Sequence, residues 1–140
     1  GMLPEPNVTS TLAGNDNLRI ALNLTEEWNK VCSTELVQGV VIARKSFVNE
    51  HPEAIEQFLR EYEKSSAFVN ENIEAAKLIV DAGILGNVEI AKKAIPNCNI
   101  SFSKGEAMHK AVEGMLTVLF EANPKSIGGK LPDKDFYYGI

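Results

Sequence analysis

Residues 36–43, Leu-Val-Gln-Gly-Val-Val-Ile-Ala, constrain the fold more than any other stretch of the chain. Val40, Val41 and Ile42 are β-branched and apolar in succession, so neither face of such a segment is suited to water. The run predicts a strand in the interior of a covered sheet, with neighbours on both sides. Only one other segment reads as a strand. In residues 18–24, Leu18, Ile20, Leu22 and Leu24 alternate with polar or small residues, the pattern of a half-buried strand. A sheet built from these two runs is short of members.

The remainder is helical in pattern. Pro6, followed by Val8, Thr9, Leu12 and Ala13, predicts a short helix ended by Gly14 and Asn15. Residues 25–35, which hold the only tryptophan, Trp28, have no clean period and read as a connection. Pro52 and Glu53 suit a first turn, and Ile55, Phe58, Leu59, Tyr62 and Val69 predict a long amphipathic helix. Asn72 is the expected cap of a second helix through Ile73, Ala76, Leu78 and Ile79, ended by Gly83. Asn87 is the expected cap of a third, through Val88, Ala91 and Ile95, stopped at Pro96. Ser103 and Glu106 have capping-box spacing ahead of the most regular stripe: Met108, Ala111, Val112, Met115, Leu116 and Leu119. A turn-rich stretch, 127–132, leads to Phe136, Tyr137 and Tyr138, expected to anchor the tail to the helices. The fold class these patterns predict is α/β, predominantly helical, with few strands covered by about four to five helices.

Composition narrows the function classes. The chain has 140 residues and a net charge of -5, with Lys and Arg scattered among acidic residues. That argues against a nucleic-acid partner, whose phosphates require clustered positive charge. No apolar run is long enough to span a bilayer, and no leader-like n- and h-region is present. Gly1 ahead of Met2 reads as an added residue. The two cysteines, Cys32 and Cys98, have no CxxC or Cys/His context, so separate thiols and a single bridge both remain open. His51 and His109 sit in unrelated surroundings, and the expectation is no metal and no cofactor. Gly128-Gly129 reads as a hinge, since no helix follows it to make a phosphate loop. Glu26-Glu27 and Asp133/Asp135 read as solvated surface. No Ser-His-Asp or Cys-His set can be assembled, and the chain is not expected to be an enzyme.

The order of features is more informative than any one of them. Leu3-Pro4-Glu5-Pro6 is followed by a short helix, an alternating segment, and an apolar run continuing into Arg44-Lys45-Ser46-Phe47. Asn49-Glu50-His51-Pro52-Glu53-Ala54-Ile55 then opens a helix carrying Phe58, Leu59 and Tyr62. Ile127-Gly128-Gly129-Lys130-Leu131-Pro132 with Phe136, Tyr137 and Tyr138 closes the series. This string resembles the C-terminal half of ABC-transporter solute-binding proteins of the nitrate/sulfonate/taurine and thiamine-precursor type.

The resemblance implies a partial type II periplasmic-binding-protein-like fold, two lobes with a ligand cleft between them. Residues 1–35 would be a remnant of the second lobe and an inter-lobe crossing, and residues 36–140 the C-terminal part of the first lobe. It implies an upstream half bearing an export signal, an extracytoplasmic location, a small-molecule ligand and an ABC permease as partner. The ligand would be a small, possibly anionic solute of the sulfonate, nitrate or pyrimidine class. Its neighbours would include Glu5, Pro6, Asn7 and Thr9, with Ser33 and Thr34 near the second crossing. For Thr9 and Ser10, satisfying local backbone is the favoured role. The alternative function is a stand-alone helical interaction protein, a homodimer joined through an exposed strand edge or through its helices.

Overall fold

The expected α/β arrangement does not form: the chain is entirely helical outside its loops. In the computed structural model, which describes residues 1–140, there are seven α-helices and no strand. They are α1 (Asn7–Gly14), α2 (Leu24–Val31), α3 (Lys45–Glu50), α4 (Pro52–Glu71), α5 (Ala75–Asp81), α6 (Val88–Ala94) and α7 (Gly105–Ala122). Three short 3-10 turns cover Ile95–Asn97, Pro124–Ile127 and Lys134–Phe136.

Both predicted strands are extended but unpaired. Residues 19–22 and 35–43 make no backbone–backbone hydrogen bond. Ile20, Leu22, Val40, Val41 and Ile42 are all exposed, Ile42 the most at 78%. Alternation and β-branching set side-chain direction and local extension, but a strand exists only when another backbone takes up its N–H and C=O groups. Nothing in this chain does so.

Residues 25–35, expected as a connection, contain α2. Asn23 starts it: its Oδ1 accepts from the Thr25 amide at 3.1 Å, and its Nδ2 donates to Glu26 Oε1 at 3.1 Å. Glu26 and Glu27 in the first turn and Lys30 in the last complement the helix dipole. Asn87 caps α6 as expected, accepting from the Ile90 amide at 3.0 Å. Asn72 instead closes α4, its Nδ2 donating to the Phe68 carbonyl, and α5 begins after Glu74. The capping box at Ser103 is not made either. α7 starts one residue later than that spacing requires, with Lys104 in the cap position.

The chain divides into two compact units. One comprises Gly1–Arg19 and Ala43–Phe102. Here α5 and α6 pack together with Ala76 and Ala91 in one buried cluster, and Ala75 and Ala94 are likewise essentially inaccessible. Ile95 joins this cluster, and Val69, Ile79, Val80, Leu85 and Val88 pack around it. The other unit comprises Ile20–Ile42 and Ser103–Ile140. Its centre is α7, where Val112 is buried and Met108, Ala111, Met115, Leu116 and Leu119 are half-buried, the stripe expected from spacing.

The exposed, unpaired runs are where a protease should enter first, because cleavage needs a locally extended backbone. Limited trypsin digestion should cut after Arg19 and Arg44 before any lysine inside α4 or α7. Resistance at both arginines would show that these segments are covered in solution.

Candidate functional site

Glu5, Pro6, Asn7 and Thr9 form one turn at the start of α1. The first four amides of a helix have no partner within it, so something outside must accept from them. Here Pro4 O accepts from Val8 N at 3.2 Å, and Glu5 Oε2 accepts from Thr9 N at 3.1 Å. Ser10 N then makes the first regular turn to Pro6 O at 3.0 Å. Glu5, Pro6 and Thr9 are half-buried, and Asn7 is exposed. The positive end of α1 is thus already met by a carboxylate, which strengthens the cap. An incoming oxyanion at this turn would meet the Glu5 charge as well as the amides.

Beneath the same unit's helices lies Cys98, whose Sγ donates to the Ala94 carbonyl at 3.2 Å. Burial, and secondarily the Glu5 carboxylate, push its thiol above the usual cysteine range. Both Cys98 and Cys32 are free thiols.

Ser33 and Thr34 belong to the other unit, so the six expected ligand neighbours fall into two separate groups. Ser33 is exposed. Thr34 is pinned in place by two local features. Its carbonyl accepts from Trp28 Nε1 at 2.6 Å. Its side chain lies over Gly114 of α7, where an added Cβ would stand 2.7 Å from Thr34 Cγ2 and 3.0 Å from its Cβ. The Thr34 hydroxyl is buried without a hydrogen-bond partner.

Spacing alone did not reveal this second group, although two signals for it were present. A lone tryptophan carries an N–H that must find an acceptor when the ring is covered. A glycine within an otherwise apolar helix stripe costs about 1 kcal/mol relative to alanine and usually has a packing reason.

The same unit holds a third group that sequence reasoning did not assemble. His109 is largely covered, with Nδ1 3.8 Å from Glu106 Oε2 and Nε2 3.6 Å from Glu113 Oε2. Its ring packs on Tyr137 with centroids 4.3 Å apart. Tyr137 is the anchor that the aromatic tail was expected to supply. Burial, and secondarily Glu113, push its phenol upward, so it stays neutral through the physiological range. No three His, Cys, Asp or Glu side chains stand together in a way that would hold a metal ion.

Along α7, Val112, Met115, Leu116 and Leu119 line a shallow apolar groove of about 160 Å³ with Val37 and Val40 opposite. Its walls bring no convergent polar groups to a bound molecule, so it has the character of an unfilled packing seam. Comparison with protein-family models, with curated proteins and with solved structures finds no match for this chain.

Two outcomes test the geometry. Gly114→Ala should lower stability by about 1–3 kcal/mol in thermal unfolding through overpacking against Thr34. At an unobstructed helix position the same change would raise it by up to about 1 kcal/mol, so the sign of the shift decides. In a Cys32→Ser background, Cys98 should react with iodoacetamide more slowly than free cysteine near neutral pH. Its rate should climb only at higher pH, because the thiolate forms above the usual range.

Proposed function

We propose that this chain is the C-terminal part of an extracytoplasmic solute-binding component of an ABC importer, the part that meets a small solute and an integral permease. The observation that carries the reading is the ordered series from Leu3-Pro4-Glu5-Pro6 through residues 18–24 and 36–47 to the His51-Pro52 helix start. Two structural facts support it. The chain passes between its compact units at Arg19/Ile20 and again at Ile42/Ala43, within the two extended runs. Those runs also expose apolar side chains and unmet peptide groups, as segments do when further polypeptide is needed to cover them.

Electrostatics at the Glu5 turn favour one of the solute classes over the others. A carboxylate that already caps α1 disfavours nitrate and sulfonates there, and favours a ligand with N–H donors, such as an aminopyrimidine. The supported function is thus import of a small nitrogen heterocycle, with Glu5 accepting from the ligand through its second oxygen.

The test begins with the DNA upstream of Met2. An in-frame coding region with an export signal is expected, and its complete product should be stabilised by aminopyrimidines in a thermal-shift panel. A ligand at a hundred times its dissociation constant adds about 2.7 kcal/mol, which such a panel detects readily. Taurine and nitrate should give smaller shifts, and Glu5→Gln should reduce the pyrimidine response. An upstream promoter with no in-frame coding sequence would overturn the reading. In that case a homodimer seen by light scattering would favour the stand-alone interaction protein, through the exposed 40–42 run.

A further inference from the structure

We propose that residues 36–43 are a docking surface for a second copy of this chain, which pairs with the run antiparallel to make a two-stranded ribbon. The inference is separate from the solute-binding reading. That reading is tested on the upstream DNA and its complete product, this one on the 140-residue chain, so each can fail alone.

The run offers what a strand partner needs. It makes no backbone–backbone hydrogen bond, and Val40, Val41 and Ile42 are all more than half exposed. Peptide groups left without partners cannot be placed in lipid, so apolar side chains on this backbone favour a polypeptide over a membrane. Two strands alone are marginal in water and need another element to pack on. Here α7 is that element: its Val112, Met115, Leu116 and Leu119 stand across a shallow groove from Val37 and Val40. A two-fold axis perpendicular to the ribbon keeps both copies of α7 on the same face, so the two apolar stripes back it together.

Charge selects the second copy and its direction. No residue from 36 to 43 is charged, while Glu35 precedes the run and Arg44 follows it, both exposed. Antiparallel pairing centred on Gly39 or Val40 brings the acidic end of each copy beside the basic end of the other. Parallel pairing would set Glu35 beside Glu35 and Arg44 beside Arg44, which is unfavourable at both ends. The run is thus complementary to itself in one direction only, and that direction closes a two-fold dimer with no strand edge left to recruit a third copy through this face.

Sedimentation of the full chain over a range of concentrations tests this, and a reversible monomer–dimer equilibrium is expected. Successive amides of a strand point to opposite edges, so whichever edge meets the second copy, either Val41→Pro or Ile42→Pro removes a donor facing it. At least one of these variants should raise the dimer dissociation constant about tenfold or more. Helical circular dichroism should stay unchanged in both, since the run bonds to no helix backbone. Glu35→Lys should weaken the dimer about fivefold, and adding Arg44→Glu should tighten it again about threefold, because the two reversals exchange the charged ends. The unpaired run is the dilute state of the chain, so trypsin cleavage after Arg44 should slow as concentration rises.

A chain that stays monomeric at every soluble concentration would overturn the proposal, whether the run is bare or taken up by some other partner. A dimer that survives both proline variants would overturn it by placing the interface elsewhere. A Glu35→Lys dimer as tight as the wild type, or no recovery on adding Arg44→Glu, would rule out the antiparallel pair.

Discussion

An extended backbone cannot satisfy its own hydrogen bonds, and that constraint organises this chain. Helices close their bonds internally, so seven of them form, α2 and α6 with an asparagine side chain capping the first turn and most of the others without one. Residues 19–22 and 35–43 have β-branched or alternating residues but no second backbone to pair with, and they remain extended connectors. Both points at which the chain first passes between its compact units fall in these connectors. Their Ile20, Leu22, Val41 and Ile42 are exposed, as are Met2, Val31, Ile73 and Ile84 elsewhere in the chain.

How much was legible in the sequence follows from the same distinction. Most helices could be read because their evidence is local, although α2 was hidden in residues 25–35, which have no clean period. The long helix through Phe58 and Tyr62 and the stripe on α7 need only residues three and four apart, and Asn87 needs only the amide three residues on. Strands could not be read with equal security, because pairing is a property of two segments, and the residues of one do not contain it. Where local signals competed, position decided. Asn72 could close one helix or open the next, and it closes α4. Ser103 had the right residue three positions on, but the left-handed Gly105 and the Lys104 cap put the helix start beyond its reach.

The candidate site was half legible for a related reason. Glu5, Pro6, Asn7 and Thr9 are neighbours in sequence, so one turn gathers them without tertiary help. The role of Glu5 within that turn depends on which amide it reaches, and it caps α1 by accepting from Thr9 N. Thr34, Gly114 and Trp28 come together only through folding, as do His109 and Tyr137. His109 and Tyr137 are 28 positions apart and Thr34 and Gly114 are 80 apart, and no short window contains either pair.

The alanine contact between α5 and α6 has a mechanical consequence. Large side chains lock two helices in register by seating knobs in the gaps of the facing helix. Ala75, Ala76, Ala91 and Ala94 present almost no knobs, and no large side chain in the chain is completely buried. Ile95 completes the contact, and Val69, Ile79, Val80, Leu85 and Val88 pack around it. A larger side chain at Ala76 or Ala91 would therefore have to push the two helices apart rather than fill a gap between them.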